Sequence, residues 1–371
     1  MKVFATADIG PAALDLLRQA GYELEVYPGP EAPPYELLLA QTASGIDGLI
    51  TTLRDRVDAG LLAAGHGHLR VVAQDAVGVD NIDLAAASRL DIPVTHTPGV
   101  LTQATAEFAL FMLGALARRL WASENLVRER QWGAWHPALP FLGSEVTGKT
   151  VAVVGLGRIG RAFAQKCVGL DMNLLACGRS PQPEWIAAVQ REMDLRHELG
   201  FSRHRARIQA ASLREALGAA DFVSLHVPLI RPGDPAAGAD GANVTYHLLN
   251  RQTLAWMRPT AYLINTARGP VLDEAALIEA LRQNQLAGAA LDVYATEPLP
   301  GDSPLRAEDL AGRLRLYHHF ASGTVETRLS PDPEQGMAGR CVAGLRNVLE
   351  GRYAGRLAQM PWLANRSAFQ K

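Results

Sequence analysis

The run Val151-Ala152-Val153-Val154-Gly155-Leu156-Gly157-Arg158-Ile159-Gly160-Arg161 decides how the rest of the chain is read. Four apolar residues form a strand, three glycines follow at G-x-G-x-x-G spacing, and Arg161–Val168 has helical character. The first glycine permits a tight turn, the second lets backbone approach a pyrophosphate, and the third lets helix pack against strand. The phosphates then sit at the positive end of the helix. A lone glycine motif is a weak signal. This one stands in strand–turn–helix context, so Gly155, Gly157, Arg158, Ile159 and Gly160 are expected to cradle a dinucleotide.

The next strand ends Leu174-Leu175-Ala176-Cys177-Gly178-Arg179-Ser180. A site for NAD places Asp or Glu about 20 residues past the glycines, on the ribose hydroxyls. Here Gly178 stands there, 23 residues after Gly155, followed by Arg179 and Ser180. Without the carboxylate a 2′-phosphate meets no repulsion, and an Arg fork with a Ser hydroxyl has the chemistry to bind it. NADP(H) is therefore expected in preference to NAD(H). The alternative is a surface arginine beside an NAD site that lacks its acid.

Short apolar runs alternate with helix-length stretches on both sides of this motif. Val3–Thr6, Glu23–Tyr27, Gly48–Thr52, Leu69–Ala73 and Pro93–Thr97 read as buried strands, with helical patterns such as Pro11–Ala20 and Val57–Ala63 between them. A long apolar helix follows over Thr102–Arg118. A second series begins at Gly148-Lys149-Thr150-Val151 and continues through Asn173–Ala176, Phe222–Val227, Ala261–Asn265 and Gly288–Val293. Such alternation implies an α/β protein with two doubly wound parallel sheets. After Pro298-Leu299-Pro300-Gly301 the pattern changes, and the last section, with a helix near Gln335–Leu349, is too short to be a domain. It is expected to pack back on the first half. Residues 1–98 and 299–371 then form a discontinuous substrate-binding domain around an inserted dinucleotide-binding domain of residues 99–298. The Arg- and His-rich stretch Trp185–Gln209 and the loop Arg231–Asn243 read as surface insertions, the former a solvated basic face.

A chain of 371 residues, 48% hydrophobic and 20% charged, has the size of two domains with a large apolar core. Its formal net charge of −2 shows no basic stripe for nucleic acid and no polybasic tail for a membrane. Cys167, Cys177 and Cys341 are scattered, without the spacing of a disulfide framework or a zinc site. No apolar run reaches the length of a bilayer span. The opening Met1-Lys2-Val3-Phe4-Ala5-Thr6 reads as a strand rather than a signal peptide. A soluble, cytoplasmic protein without a metal is expected.

Three further motifs narrow the chemistry: Asn265-Thr266-Ala267-Arg268-Gly269, then Ala290-Leu291-Asp292-Val293-Tyr294-Ala295-Thr296-Glu297-Pro298, then His319-Phe320-Ala321-Ser322-Gly323. With Ala76-Val77-Gly78-Val79-Asp80-Asn81-Ile82-Asp83 and Thr97-Pro98-Gly99-Val100-Leu101-Thr102, they form an ordered set over nearly the whole chain. The set resembles the D-isomer-specific 2-hydroxyacid dehydrogenase family. That resemblance implies a Rossmann cofactor domain inserted into a flavodoxin-like substrate domain, and Arg268, Glu297 and His319 as catalytic groups. Reducing a 2-keto acid puts a hydride on the carbonyl carbon while its oxygen gains a proton. An arginine suits the substrate carboxylate and carbonyl oxygen, and a histidine beside a carboxylate suits delivery of the proton. His318 competes for that role. Aligning on Ser322-Gly323-Thr324 puts His319 in the histidine position and His318 where the family usually has proline.

By the same resemblance, backbone N–H groups at Val77-Gly78 hold the substrate carboxylate and Leu53 forms an apolar wall. Thr105 and Asp292 lie near the nicotinamide and Thr245 near the phosphates, with Val227, Pro228, Thr266 and Ala267 also against the cofactor. Gln131-Trp132-Gly133-Ala134-Trp135-His136-Pro137, followed by Phe141-Leu142-Gly143, is similar to the glyoxylate/hydroxypyruvate reductase branch. There a tryptophan like Trp135 reaches a neighbouring protomer's pocket, which implies a homodimer and a small 2-keto or 2-hydroxy acid as substrate. Phosphite dehydrogenases carry lysine where Val77 stands. A dinucleotide-sensing corepressor on this fold is the reading from a different class.

Overall fold

The central strands carry apolar side chains on both faces, as strands of a parallel sheet covered by helices must. The computed structural model describes residues 1–138, 142–180 and 182–370, so Phe141 of the sequence motif lies outside the described residues. Two units result, one made of Met1–Leu101 with Ser322–Lys371 and the other of Thr102–Ala321.

The first unit runs β1 (Lys2–Ala5), α1 (Pro11–Gln19), β2 (Glu23–Val26), α2 (Tyr35–Ala43), β3 (Gly48–Thr51), α3 (Ala59–Ala64), β4 (Val71–Gln74), α4 (Leu84–Arg89) and β5 (Val94–Thr95). Its sheet has the order β2-β1-β3-β4-β5, with every neighbouring pair parallel. Alternation along β4 sorts its residues between two cores. Val71 and Ala73 pack with Leu14 and Leu17, whereas Val72 packs with Leu61, Leu62 and Ile92.

The second unit runs α5 (Thr102–Arg118), α6 (Leu120–Arg128), β6 (Thr150–Val154), α7 (Arg158–Val168), β7 (Asn173–Cys177), α8 (Pro183–Glu198), β8 (Ile208–Ala210), α9 (Leu213–Ala219) and β9 (Phe222–Leu225). It continues through α10 (Arg251–Leu254), β10 (Tyr262–Asn265), α11 (Glu274–Arg282), β11 (Gly288–Leu291) and β12 (Leu314–Leu316). The parallel order is β12-β11-β10-β9-β6-β7-β8. It reverses direction between β6 and β9, the switch point outside which doubly wound sheets bind nucleotides. Val151 and Val153 face α5 and α7 on one side, and Ala152 and Val154 face the core under α9 and α11 on the other.

Two boundaries differ from the sequence reading. Residues 299–321, assigned there to the first unit, belong to the second, and residues 99–101 to the first. The cause is β12, which pairs with β11 through Ala289–Leu314 and Leu291–Leu316. A three-residue strand, Leu-Arg-Leu, gives too short a pattern to be seen in sequence. Likewise Trp185–Gln209 is not all insertion. It holds α8, whose Val189 and Met193 enter the core, and the start of edge strand β8. Helices α2 and α4 also escaped the sequence reading.

After Ala321 the chain returns through α12 (Val325–Leu329) and α13 (Met337–Leu349). Gly336 and Gly339 are obligatory at the start of α13. A Cβ on either would meet the backbone of Ser330 or Pro331 at 2.2–2.4 Å, because the Leu329–Glu334 segment crosses there. Leu345 of α13 is fully buried, with its side chain 3.0 Å from where a Cβ on Gly48 would lie. Leu345→Ala should therefore lower unfolding stability by about 2–5 kcal/mol in urea titration. A change within error would mean that α13 does not anchor this sheet.

Candidate active site

The turn after β6 is built around absent side chains. Gly155 has φ 103, and a Cβ there would sit 2.7 Å from the His226 carbonyl carbon. A Cβ on Gly160 would lie 1.9 Å from the Gly155 oxygen. Gly157 is different: a Cβ there would meet nothing within 4 Å, and Gly157 caps α7 without any side-chain hydrogen bond. Two glycines thus serve packing, and the third leaves the helix N–H groups open to an anion. Helix α7 begins at Arg158, earlier than the sequence suggested. Arg158 is exposed and Ile159 half-buried. The cradle fits a dinucleotide's phosphates.

His226, which the sequence reading passed over, forms the floor. Its Nε2 lies 2.9 Å from Ser224 Oγ, its ring 4.9 Å from that of Phe163, and its Nδ1 is sealed without a partner among the described residues. Burial pushes its pKa down to about 3, so it is neutral beneath the phosphate turn. The only hint in sequence was its place next to Val227 and Pro228.

Arg179 and Ser180 follow β7 directly and are exposed, past Gly178, whose Cβ would lie 3.2 Å from Leu156. Val227 is half-buried and Pro228 exposed in the loop after β9. Thr245 closes that loop: its Oγ1 donates to the Pro228 carbonyl at 2.6 Å and accepts from the Ile230 N–H at 2.7 Å. Its donor is already used, so its observed task is to shape the loop. Thr105 is buried near the start of α5. Thr266 is buried with an Oγ1 that lacks a partner among the described residues, as a group awaiting a ligand would be.

After β10, Asn265 folds the chain back on itself. Its Oδ1 accepts the Ala267 N–H at 3.0 Å, and its Nδ2 donates to the Arg268 carbonyl at 3.1 Å. Arg268 Nη1 donates to the Ala267 carbonyl at 2.8 Å. Gly269 has no room for a side chain, since a Cβ would lie 1.8 Å from the Tyr294 carbonyl carbon. The Tyr294 N–H donates to Glu297 Oε1 at 2.9 Å, and Glu297 Oε2 is 2.7 Å from His319 Nδ1. Backbone contact at Gly269 and Tyr294 thereby brings the arginine loop to the carboxylate–imidazole pair. Burial alone would raise the Glu297 carboxyl. The His319 bond and charge, the Tyr294 N–H and the Arg268 charge outweigh it and hold the carboxyl below its usual range. His318 does not touch Glu297; it is exposed and stacked on Phe320, rings 5.0 Å apart.

Asp292 also holds the loop that carries His319. Its Oδ1 accepts the Phe320 N–H at 2.7 Å, its Oδ2 the Ala321 N–H at 2.8 Å, and its carbonyl the His319 N–H at 2.8 Å. Its side chain holds the histidine loop, whatever lies on the cofactor side.

In the first unit, the loop after β4 carries the two residues expected to meet a substrate carboxylate, Val77 and Gly78. Its carbonyls are occupied: Val77 O receives His96 Nδ1 at 2.9 Å, Gly78 O receives Gln74 Nε2 at 3.2 Å and Ala76 O receives the Thr97 N–H at 2.9 Å. The Val77 and Gly78 N–H groups donate to no acceptor among the described residues. Gln74 also donates to Asn81 Oδ1 at 2.8 Å, and Asn81 pins the loop to the Thr52 and Asp55 carbonyls. The sequence signal for Gln74, a polar residue ending an apolar strand, was available. Leu53 is exposed in the loop after β3, and Trp135 is 81% exposed.

A parallel sheet of dinucleotide-binding order, with an arginine loop joined to a carboxylate–imidazole pair, defines a nicotinamide-dependent oxidoreductase. The chain belongs to the D-isomer-specific 2-hydroxyacid dehydrogenase family: residues 110–311 match the family model "D-isomer specific 2-hydroxyacid dehydrogenase, NAD binding domain". It is 39% identical over 329 residues to the glyoxylate reductase of Korarchaeum cryptofilum, covering 88% of each chain. A solved structure of a protein from Thermus thermophilus is similar at 39% identity and TM-score 0.78, over 95% of this chain and 97% of that one. The NADPH-dependent glyoxylate/hydroxypyruvate reductase of Sinorhizobium meliloti matches at 25% identity and TM-score 0.73, covering 98% of both.

Asp292→Asn leaves an amide nitrogen facing a backbone N–H. It should lower kcat by about 100-fold through displacement of the His319 loop. Steady-state kinetics beside a thermal melt will check this, and an unchanged kcat would remove Asp292 from the positioning of the loop.

Proposed function

We propose that this oxidoreductase reduces a small 2-keto acid, glyoxylate or hydroxypyruvate, to the D-2-hydroxy acid with NADPH in preference to NADH. The observation that carries the reading is the 2.7 Å contact between His319 Nδ1 and Glu297 Oε2. Glu297, kept anionic, fixes the ring with Nδ1–H toward itself. That leaves Nε2–H as the proton donor.

The bound nicotinamide supplies the hydride. Arg268 pairs with the substrate carboxylate and polarises the carbonyl oxygen, and His319 gives that oxygen a proton. The Val77 and Gly78 N–H groups hold the carboxylate, and Leu53 supplies an apolar wall. Gly155, Gly157, Arg158, Ile159 and Gly160 cradle the pyrophosphate, with Val227, Pro228 and Thr245 shaping the loop beside it. Thr105, Thr266, Ala267 and Asp292 line the nicotinamide end, where the orphaned Thr266 hydroxyl finds a partner. Arg179 and Ser180, standing where an acid would exclude it, take the 2′-phosphate. Support for the substrate class comes from relatives that are glyoxylate reductases, and for the cofactor from one that is NADPH-dependent.

The same reading makes the protein a homodimer in the cytoplasm. Helix α6 buries no residue, and Leu120, Val127, Trp132 and Trp135 all stand exposed on or after it. Apolar surface on this scale marks an interface, and Trp135 is assigned to the partner's pocket. Light scattering should give about twice the 39.9 kDa chain mass; a monomer would remove Trp135 from the site.

A panel of 2-keto acids with both cofactors tests the substrate and the coenzyme together. Glyoxylate or hydroxypyruvate should give the highest kcat/KM, larger with NADPH, and Arg179→Ala should remove that preference. A higher kcat/KM with NADH would overturn the coenzyme assignment. Tight NADPH binding with no turnover would favour a sensing protein. His319→Gln should lower kcat at least 100-fold whereas His318→Ala should leave it within about threefold; the reverse result would move the proton donor to His318.

A further inference from the structure

Asp75 follows β4 and immediately precedes the Ala76–Gly78 cradle. Its N–H donates to Thr51 O at 2.7 Å. By the alternation of β4, its side chain leaves the sheet on the side of Val71 and Ala73, toward α12 and α13. The residue is half-buried, but its Oδ1 is sealed from solvent and takes no hydrogen bond. No donor compensates an anion at that oxygen, a costly arrangement for a carboxylate.

The charged and titratable groups around it are few. Arg328 on α12 is the favourable one, itself tied to Ser322 Oγ at 3.1 Å. Cys341 on α13 sends its Sγ to the Ala73 carbonyl at 3.6 Å, and burial and Asp75 both push that thiol up, so it stays neutral. Asp55, after β3, spends its Oδ2 on Thr6 and Thr52. His96, after β5, faces the cradle through the Val77 carbonyl. Burial outweighs Arg328 and raises the Asp75 carboxyl to about 7.

We propose that Asp75 sets the pH dependence of substrate affinity: uncharged, it leaves the Val77–Gly78 N–H groups attractive to a carboxylate, and ionised, it opposes one. The proposal rests on the reading that this loop holds the substrate carboxylate. Asp75 stands two residues before Val77 and three before Gly78, so its charge sits on the same loop as the N–H groups assigned to that carboxylate. No bond between heavy atoms forms or breaks. One proton leaves Asp75 for solvent as pH rises, and KM rises with it while the bound chemistry is unchanged. Substrate, in turn, holds the proton on.

The test is the inhibition constant of oxamate, an unreactive 2-keto acid analogue, against the NADPH complex from pH 6 to 8. For the wild type it should weaken about tenfold more over that range than for Asp75→Asn, which keeps shape without the charge. The comparison removes any contribution from His319 or His96, present in both proteins. An equal change in the two would overturn the assignment to Asp75. Val77→Pro, which deletes one cradle N–H, separates the underlying reading. An unchanged oxamate constant at pH 6 would mean the loop does not hold the carboxylate, and both fall. A weakened one beside a pH-insensitive Asp75 comparison overturns the Asp75 role alone.

Folding gives an independent readout. A carboxyl raised from 3.8 to about 7 binds more protons folded than unfolded, so its ionisation destabilises the wild type as pH rises across that window. The Asp75→Asn melting temperature should exceed the wild type's by its widest margin above pH 7. Should that variant not fold, Arg328→Gln serves in its place. It removes the one favourable charge, so the midpoint of the oxamate profile should move to higher pH, and an unmoved midpoint overturns the proposal.

Discussion

Three consecutive backbone N–H groups, from His319 to Ala321, converge on Asp292, and the candidate active site depends on that convergence. His319 has φ 55, a left-handed conformation that costs a non-glycine residue about 1 kcal/mol. The loop keeps it because three hydrogen bonds of 2.7–2.8 Å to one fully buried residue require it. With the backbone so fixed, the imidazole meets Glu297. The neighbouring His318, on the same loop, is turned outward onto Phe320.

That constraint also explains the division of the chain. Asp292 ends the β11 ladder, and the Tyr317 N–H continues it by donating to Leu291 O at 2.9 Å. The histidine loop therefore cannot leave the second unit while Asp292 holds it, and the return to the first unit comes only at Ser322. Glycines serve the same end elsewhere. Gly155 and Gly160 let β9 and α7 close over one another, and Gly269 lets the arginine loop rest on Tyr294. Each is a place where backbone must approach backbone, and a methyl group would hold the pieces apart.

What sequence made legible was whatever repeats or follows a spacing. The apolar runs of β3, β6 and β10, the glycine turn and the unbroken helix Thr102–Arg118 all carry local patterns, and all stand where they were expected. Short or edge elements such as β8 and β12 carry too few residues to show a period. The tasks of Asp292 and His226 were illegible for another reason. They depend on partners 28 residues away, on neighbouring backbone or on burial, and none of these is written in residue type. The resemblance placed Asp292 near the nicotinamide; its hydrogen bonds give it the further task of holding the histidine loop.

The carboxyl groups of Glu297, Asp292 and Asp75 meet different ends, and the balance of donors, burial and nearby charge around each accounts for the difference. Glu297 faces an N–H, an imidazole and the charge of Arg268, which together outweigh burial and keep it anionic. Asp292 has one N–H on each oxygen, but it is wholly buried and near the charge of Glu297, so its carboxyl is raised despite them. Asp75 has no donor on its sealed oxygen, and Arg328 alone does not offset its desolvation. An acid that must stay charged to orient a histidine is given donors. One left without them titrates near neutrality, and its charge then acts on whatever anion its neighbours bind.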